Sequence, residues 1–270
     1  MKKYLILFLF LFGIGAVLWS LNSLFNLTLP PVPSPSLMPD SSPLPEMIDE
    51  SPYLSTLKNM EEIEVGGEGY RFSWVKVSDV SKLQLFSNLE TKKAAKTLRE
   101  EKDCRLLVNG SYYGRDYQPL GWLVSQGKMV YQKTKSELMN GFLSVKDNKA
   151  YLGVIFPKGE VRIGLQSGPL LVDGDRALPL KIHSDERARR IVVGLNKKGE
   201  LLFMVFAAQN SILSGPLLSE LPEVVVSASR KMDQEIEVVV NLDGGAASAF
   251  LSEEVELDEI SIIGSYFCLR

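Results

Sequence analysis

From residue 61 onward the sequence is a train of short apolar runs, each closed by a turn signal, and this rhythm confines the fold to a strand-rich one. Residues 70–77 and 83–86 alternate apolar with polar side chains, as half-buried strands do. Further strands are expected at 105–108, 121–125, 129–132, 141–145, 150–156, 161–165, 191–195, 201–206, 237–242 and 260–269. Gln126-Gly127, Asp147-Asn148 and Lys158-Gly159 supply turns between them. Two stretches read as helices. One is 91–102, with Thr91 as its cap; the other is 217–232, although Pro222 and Val224-Val225-Val226 work against it. The expected fold is α+β: a strand-rich single domain with a large mixed sheet and a few helices.

The first 60 residues have another character. Lys2 and Lys3 precede an apolar run that reaches about Leu27 without a charged side chain. Roughly 20 such residues cross a hydrocarbon core of about 30 Å. No A-x-A-like cleavage site follows Trp19-Ser20, so residues 1–28 read as an uncleaved transmembrane signal anchor, with the lysines inside and the rest of the chain outside the cytoplasm. A cleaved signal peptide and a secreted domain form the alternative. Residues 29–60 are a Pro/Ser-rich linker, and prolines at this density make an extended spacer. Residues 61–270 then form the folded domain, about 210 residues and long enough for a real core.

A net charge of -3 offers nucleic acid no electrostatic footing, so none is expected as a partner. The membrane is the one partner the N-terminal run implies, and nothing fixes the oligomeric state. Cys104 and Cys268 either pair, tying an early strand to the last one, or remain two buried thiols. His183 is the only histidine, which excludes a multi-histidine metal site. It would also have to serve any serine nucleophile, and no G-x-S-x-G elbow is present. No cofactor is expected. A divalent cation held by carboxylates near Asp243 stays open.

Four polar segments sit beside glycines. The densest is Asn241-Leu242-Asp243-Gly244-Gly245-Ala246-Ala247-Ser248, where a carboxylate directly follows an apolar run and the glycines let backbone turn and a ligand approach. The others are Asn109-Gly110-Ser111-Tyr112-Tyr113, the loop Ser167-Gly168-Pro169, and Arg187-Ala188-Arg189-Arg190 at the mouth of a strand. Asn109 can both donate and accept hydrogen bonds. The loop N–H groups can cradle an anion, and an arginine there can grip phosphate.

With Pro119-Leu120-Gly121 added, these segments in this order resemble the phosphodiester glycosidase family. Its pattern runs N-G-G-[FY]-F, P-x-G, G-P-x-L-V-x-x-G, R-T-x-x-G and L-D-G-G-G-S-S. The matching residues include Gly168-Pro169-Leu170-Leu171-Val172-Asp173-Gly174, Arg190-Ile191-Val192-Val193-Gly194, and Leu242 to Ser248. The resemblance implies hydrolysis of the bond between a sugar's anomeric carbon and a phosphodiester, in envelope polymers or other glycans. It casts Asp243 as the reacting carboxylate and Arg190 as the phosphate clamp. Asn109 and Ser248 would hydrogen-bond the sugar or the anion, with Gly244, Gly245, Ser167 and Gly168 lining the site. Asp173 or Asp116 would supply a second carboxylate. Ser111, Ile191, Ala246 and Ala247 depart from the pattern, and losing those hydroxyls points to a different substrate or to less activity. The alternative is a non-catalytic glycan-binding or envelope-interaction module on the same fold.

Overall fold

The computed structural model describes residues 54–174 and 176–270. The expected anchor at 1–28 and most of the 29–60 linker lie outside the described residues. Within them, no helix is long and apolar enough to cross a membrane. The packed body begins inside the stretch assigned to the linker. A short helix α1, Leu54–Lys58, buries Leu57, and Met60 follows it into the core. Arg71 Nη1 donates to the Leu57 carbonyl at 2.8 Å, which ties α1 to the first hairpin.

That hairpin is β1, Glu61–Val65, and β2, Glu68–Val77. The charge-rich run Glu61-Glu62-Ile63-Glu64 had no strand signature, because β1 is an edge strand with its acids in solvent. The chain continues through β3, Leu83–Ser87, helix α2, Ala95–Lys102, and β4, Leu106–Asn109. Next come β5, Leu123–Ser125, β6, Lys128–Tyr131, β7, Gly141–Lys146, β8, Lys149–Gly153, β9, Ile163–Ser167, and β10, Leu170–Asp173. A two-residue β11, Arg176–Ala177, precedes β12, Arg190–Asn196, and β13, Leu201–Ala208. Helix α3, Leu221–Lys231, leads into β14, Ile236–Asn241. The short β15, Phe250–Leu251, and β16, Glu256–Leu257, precede the last strand β17, Ser265–Leu269.

These strands form a seven-stranded sheet, β1-β2-β13-β12-β14-β10-β11, and two five-stranded sheets, β16-β15-β4-β17-β3 and β6-β5-β9-β7-β8. Every described pairing is antiparallel, which corrects the expectation of a mixed sheet. The reason lies in the connections. Parallel neighbours need long crossovers, usually helical, and the turns here are tight.

The central strands of the seven-stranded sheet are buried on both faces. Ile191, Val193, Phe203 and Val205 pack on the core shared with Leu85, Val108, Leu143, Leu165 and Phe267. Val192, Met204 and Phe206 point the other way, onto Leu221, Val224, Val225 and Ala228 of α3. That is why β12 and β13 read as unbroken apolar runs. Pro222 stands at the start of α3, where its missing N–H costs nothing, so the helix begins at Leu221 and not at 217. The β-branched valines are tolerated because they pack.

Helix α2 begins at Ala95, and Thr91 does not cap it. The Thr91 hydroxyl instead donates to Asn88 Oδ1 at 2.7 Å, and the Glu259 carboxylate accepts the Ala95 N–H at 2.7 Å. Cys104 and Cys268 are joined as a disulfide, their Cα atoms 5.2 Å apart.

Candidate active site

Strand register brings the polar segments together. Strand β14 lies beside β12 with Val192 opposite Asn241, so the chain leaving β14 runs past the start of β12. Leu242 N–H donates to the Ile191 carbonyl at 2.9 Å, and Gly245 N–H to the Arg189 carbonyl at 2.9 Å. Asp243 N–H crosses to the other side and donates to the Gly110 carbonyl at 3.0 Å, just past the end of β4. The loop is thus stitched to two sheets at once. A side chain at Gly244 would lie 3.1 Å from the Arg189 carbonyl oxygen, and Gly245 takes a positive φ of 63°. Gly245 is needed for that path, and at Gly244 a side chain would press on the Arg189 carbonyl.

The Asp243 carboxyl group sits at this junction, half-buried. Burial raises its pKa to about 7, partly offset by the Gly244 N–H that donates to Oδ1 at 3.0 Å. A carboxyl group poised there changes charge near neutral pH, as an acid-base residue must.

Asn109 and Ser248 both reach the loop, and both spend their polar atoms inside it. Asn109 is 1% exposed; its Nδ2 donates to the Asp243 carbonyl at 2.7 Å and its Oδ1 accepts the Ala249 N–H at 2.9 Å. Ser248 Oγ donates to the Gly245 carbonyl at 2.6 Å and accepts from Arg189 Nε at 2.7 Å. Sequence reasoning passed over Arg189, which lies fully buried beneath the loop. Its Nη2 also donates to the carbonyls of Ser248, at 2.6 Å, and Asp258. Adjacent arginines at a strand mouth point to opposite faces, and only burial reveals which one turns inward.

Arg190 turns the other way. Its Nε donates to the Pro216 carbonyl at 3.1 Å, and its Nη2 to the Glu186 carbonyl; Nη2 lies 3.6 Å from Asp185 Oδ1. Nη1 makes no hydrogen bond among the described residues. Burial lowers the Arg190 pKa, opposed by the charge of Asp185. Burial would raise Asp185, but N–H groups of Ser219 and Leu218, at 2.8 and 2.9 Å, and the Arg190 charge hold it below the ordinary carboxylate value.

Tyr112 completes the cluster. Its hydroxyl donates to the Gly168 carbonyl at 2.9 Å and accepts from Asn241 Nδ2 at 2.5 Å. Burial, and then the nearby Asp243 charge, push its pKa up. Asn241 Oδ1 is buried beside it with no hydrogen-bond partner among the described residues. Ser167 Oγ donates to the Asn241 carbonyl at 2.7 Å, and a side chain at Gly168 would come within 2.2 Å of the Leu138 carbonyl oxygen. Ser167 and Gly168 therefore back the strand end from below. A polar residue at the end of an apolar strand, two before the aspartate, was the available signal for Asn241.

Of the candidates for a second carboxylate, Asp173 lies elsewhere. Asp173 pairs with Val238, which places it roughly 15 Å back along β14 from Asp243. Asp116 is exposed in the turn between Gly114 and Gln118. His183 is exposed and hydrogen-bonded to no serine among the described residues. Among those residues, no group of three His, Cys, Asp or Glu side chains is placed to hold a metal ion.

A sequence profile of the phosphodiester glycosidase family matches residues 102–262, which contain the whole cluster. No curated protein matches the chain in sequence. Among solved structures, it resembles the catalytic domain of zebrafish N-acetylglucosamine-1-phosphodiester alpha-N-acetylglucosaminidase, auto-inhibited by its pro-peptide. The TM-score is 0.63 at 14% identity, covering 78% of this chain and 81% of that one. A hypothetical protein from Synechocystis gives 0.56 at 12% identity over 78% of this chain and 61% of its own. A Burkholderia pseudomallei protein described as exported gives 0.51 at 10% identity over 75% and 74%. At these identities the structural likeness is one of fold.

Proposed function

This chain belongs to the phosphodiester glycosidase family, and from that premise we propose that it hydrolyses glycosyl phosphodiesters, with Asp243 as the reacting carboxylate. The observation that carries the reading is the placement of Asp243 at the mouth of β14, braced by Asn109 and beside Arg190 and Tyr112. In the proposed step the bond from the anomeric carbon to the phosphate oxygen breaks. The phosphate leaves as a monoester on the remainder of the substrate, and water supplies the hydroxyl. A phosphate is a weak base and departs without a proton. What the site must supply is therefore a base for the water, and ionised Asp243 takes that proton. Arg190 is assigned to the phosphate, because guanidinium N–H groups match its oxygens.

We further propose that residues 1–28 hold the domain at the outer face of a membrane, where envelope polymers or glycans carry such linkages. The charge-free run after Lys2 and Lys3 supports this.

One observation favours the second reading, a glycan-binding module without catalysis: Asp173 pairs with Val238, several residues back along β14, and does not stand beside Asp243 as a partner carboxylate. Incubating the full chain with a glycosyl phosphodiester separates the two. Release of free sugar, lost in Asp243→Asn, supports hydrolysis. Binding without release supports the module, and equal release by the variant removes Asp243 from the reaction.

A further inference from the structure

We propose that Asp185 is a positioning residue for Arg190, fixing its guanidinium beside the Asp243 loop for an incoming anion. The inference rests on the glycosidase reading above, in which Arg190 is assigned to the phosphate. Residue order does not single Asp185 out, because it lies in the polar stretch Lys181 to Arg190, outside every motif that suggests the family.

Arg190 leaves the mouth of β12 against the glycines of the loop. A side chain at Gly244 would stand 3.7 Å from Arg190 Cδ, so the stem of the arginine touches the residue that follows Asp243. Beyond Cδ the guanidinium is held by three acceptors on two loops. Nε donates to the Pro216 carbonyl at 3.1 Å, Nη2 donates to the Glu186 carbonyl, and Asp185 Oδ1 lies 3.6 Å from Nη2. These contacts leave Nη1 as the uncommitted nitrogen.

Asp185 ties the two loops together. Its Oδ1 accepts Leu218 N–H at 2.9 Å and its Oδ2 accepts Ser219 N–H at 2.8 Å. Glu186, the source of one carbonyl, directly follows Asp185, and Pro216, the source of the other, lies two residues before Leu218. One carboxylate therefore sets the spacing of both carbonyls around Arg190. The same loops meet again alongside: Arg189 N–H donates to the Leu213 carbonyl at 3.2 Å, and a side chain at Gly215 would come within 2.5 Å of the Ala188 carbonyl oxygen. Ser184, just before Asp185, has left-handed backbone with φ of 55°, a costly conformation for serine that the surrounding contacts impose.

Burial separates this pair from the surface ion pairs of the same chain. The Arg190 and Asp185 side chains are 13% and 12% exposed, whereas Glu62 and Glu256, which face Arg71 and Arg99, are 55% and 49% exposed. Exposed pairs hold geometry weakly; a buried carboxylate that also accepts two backbone N–H groups has one arrangement. The sign of its charge supplies a second distinction. On charge alone, a carboxylate beside Arg190 weakens anion binding, while as a positioning group it strengthens it. The two effects oppose each other, and that makes the role measurable.

The test is calorimetric binding of a methyl glycosyl phosphodiester to the full chain carrying Asp243→Asn, a background chosen so that the ligand survives the measurement. Asp185→Asn and Arg190→Met are added singly and together. Asp185→Asn is expected to weaken binding roughly five-fold and Arg190→Met roughly ten-fold, the range of an oriented charged hydrogen bond. The two together are expected to cost no more than Arg190→Met alone, because Asp185 acts through Arg190. Asp185→Ser, which also keeps one acceptor without the charge, is expected to repeat the result if the asparagine variant does not fold. Unchanged or tighter binding in these variants overturns the inference, as does a further loss on top of Arg190→Met, or a starting protein that does not bind the diester. The expected pattern of binding, with no sugar released from the diester by the chain that retains Asp243, removes hydrolysis and leaves the positioning role. Sugar release by Asp185→Asn at unchanged KM, with Asp243 in place, keeps hydrolysis and removes that role.

Discussion

The side-chain amide of Asn109 holds the backbone carbonyl of Asp243 at 2.7 Å across 134 positions of sequence. With Asn109 Oδ1 on the Ala249 N–H, one buried side chain clamps both ends of the glycine loop. Asn109 is by this geometry a positioning residue. Asn109→Ala leaves two buried backbone groups unpaired, each at about 1–3 kcal/mol. The expected result is a lower melting temperature together with a fall in kcat at nearly unchanged KM. A fall in affinity alone would return Asn109 to direct contact with substrate.

The raised pKa of Asp243 predicts a stability that depends on pH. The folded state keeps this proton up to about pH 7, while an unfolded aspartate has the ordinary value of 3.8. Between those values the folded state binds more protons than the unfolded one, so stability falls as pH rises through the window. Asp243→Asn removes that charge. Its melting temperature should exceed that of the wild type at pH 8, and the difference should shrink toward zero near pH 4. Thermal melts across that range check this, and a difference that grows on acidification contradicts it.

The same group predicts the activity profile. If ionised Asp243 takes the proton from water, kcat/KM for a glycosyl phosphodiester rises with pH through about 7. A profile that falls through that point would make Asp243 the acid instead.

Arg189 carries the loop from beneath, through Nε on Ser248 Oγ and Nη2 on the carbonyls of Ser248 and Asp258. Arg189→Met should destabilise the protein by about 4 kcal/mol or more, since it removes three bonds from a charged donor, each worth about 1.5–3. It should also cost activity. Arg190→Met, whose side chain lies at the rim, should mainly raise KM. Denaturation midpoints and steady-state kinetics on the two variants separate the roles.

The Cys104–Cys268 disulfide closes a loop of 164 positions. Removing it with Cys104→Ser and Cys268→Ser together should cost about 2–4 kcal/mol, a drop of roughly 5–15 °C in Tm. Reduction of the wild type should reproduce that drop, and melts with and without reductant measure it.

Much of this architecture was legible from residue order because strand periodicity is local. Tyr70 to Val77 alternates, and Ile191-Val192-Val193 reads as buried on both faces, whatever their partners turn out to be. Strand β10 escaped notice because Leu170-Leu171-Val172-Asp173 follows a Ser-Gly-Pro loop too closely to show a period. The antiparallel pairing escaped too, since direction is a property of connections and not of runs.

Asp243, Gly244, Arg190 and Asn109 could be picked out by residue type at strand ends, and the order of the motifs was enough to suggest the family. Which of them spend their polar atoms on the backbone was settled by folding alone. Arg189 and Arg190 are chemically identical neighbours, and only the sheet's two faces send one beneath the loop and leave the other at its rim. Asn109 and Ser248 looked like substrate contacts until packing gave their polar atoms backbone partners, which buried groups must have. Residue order alone showed a strand-rich fold and an aspartate beside glycines at a strand end. Tertiary structure decided the burial that moves this aspartate's pKa to about 7, because desolvation depends on what surrounds a carboxyl group in space and not on what flanks it in the chain.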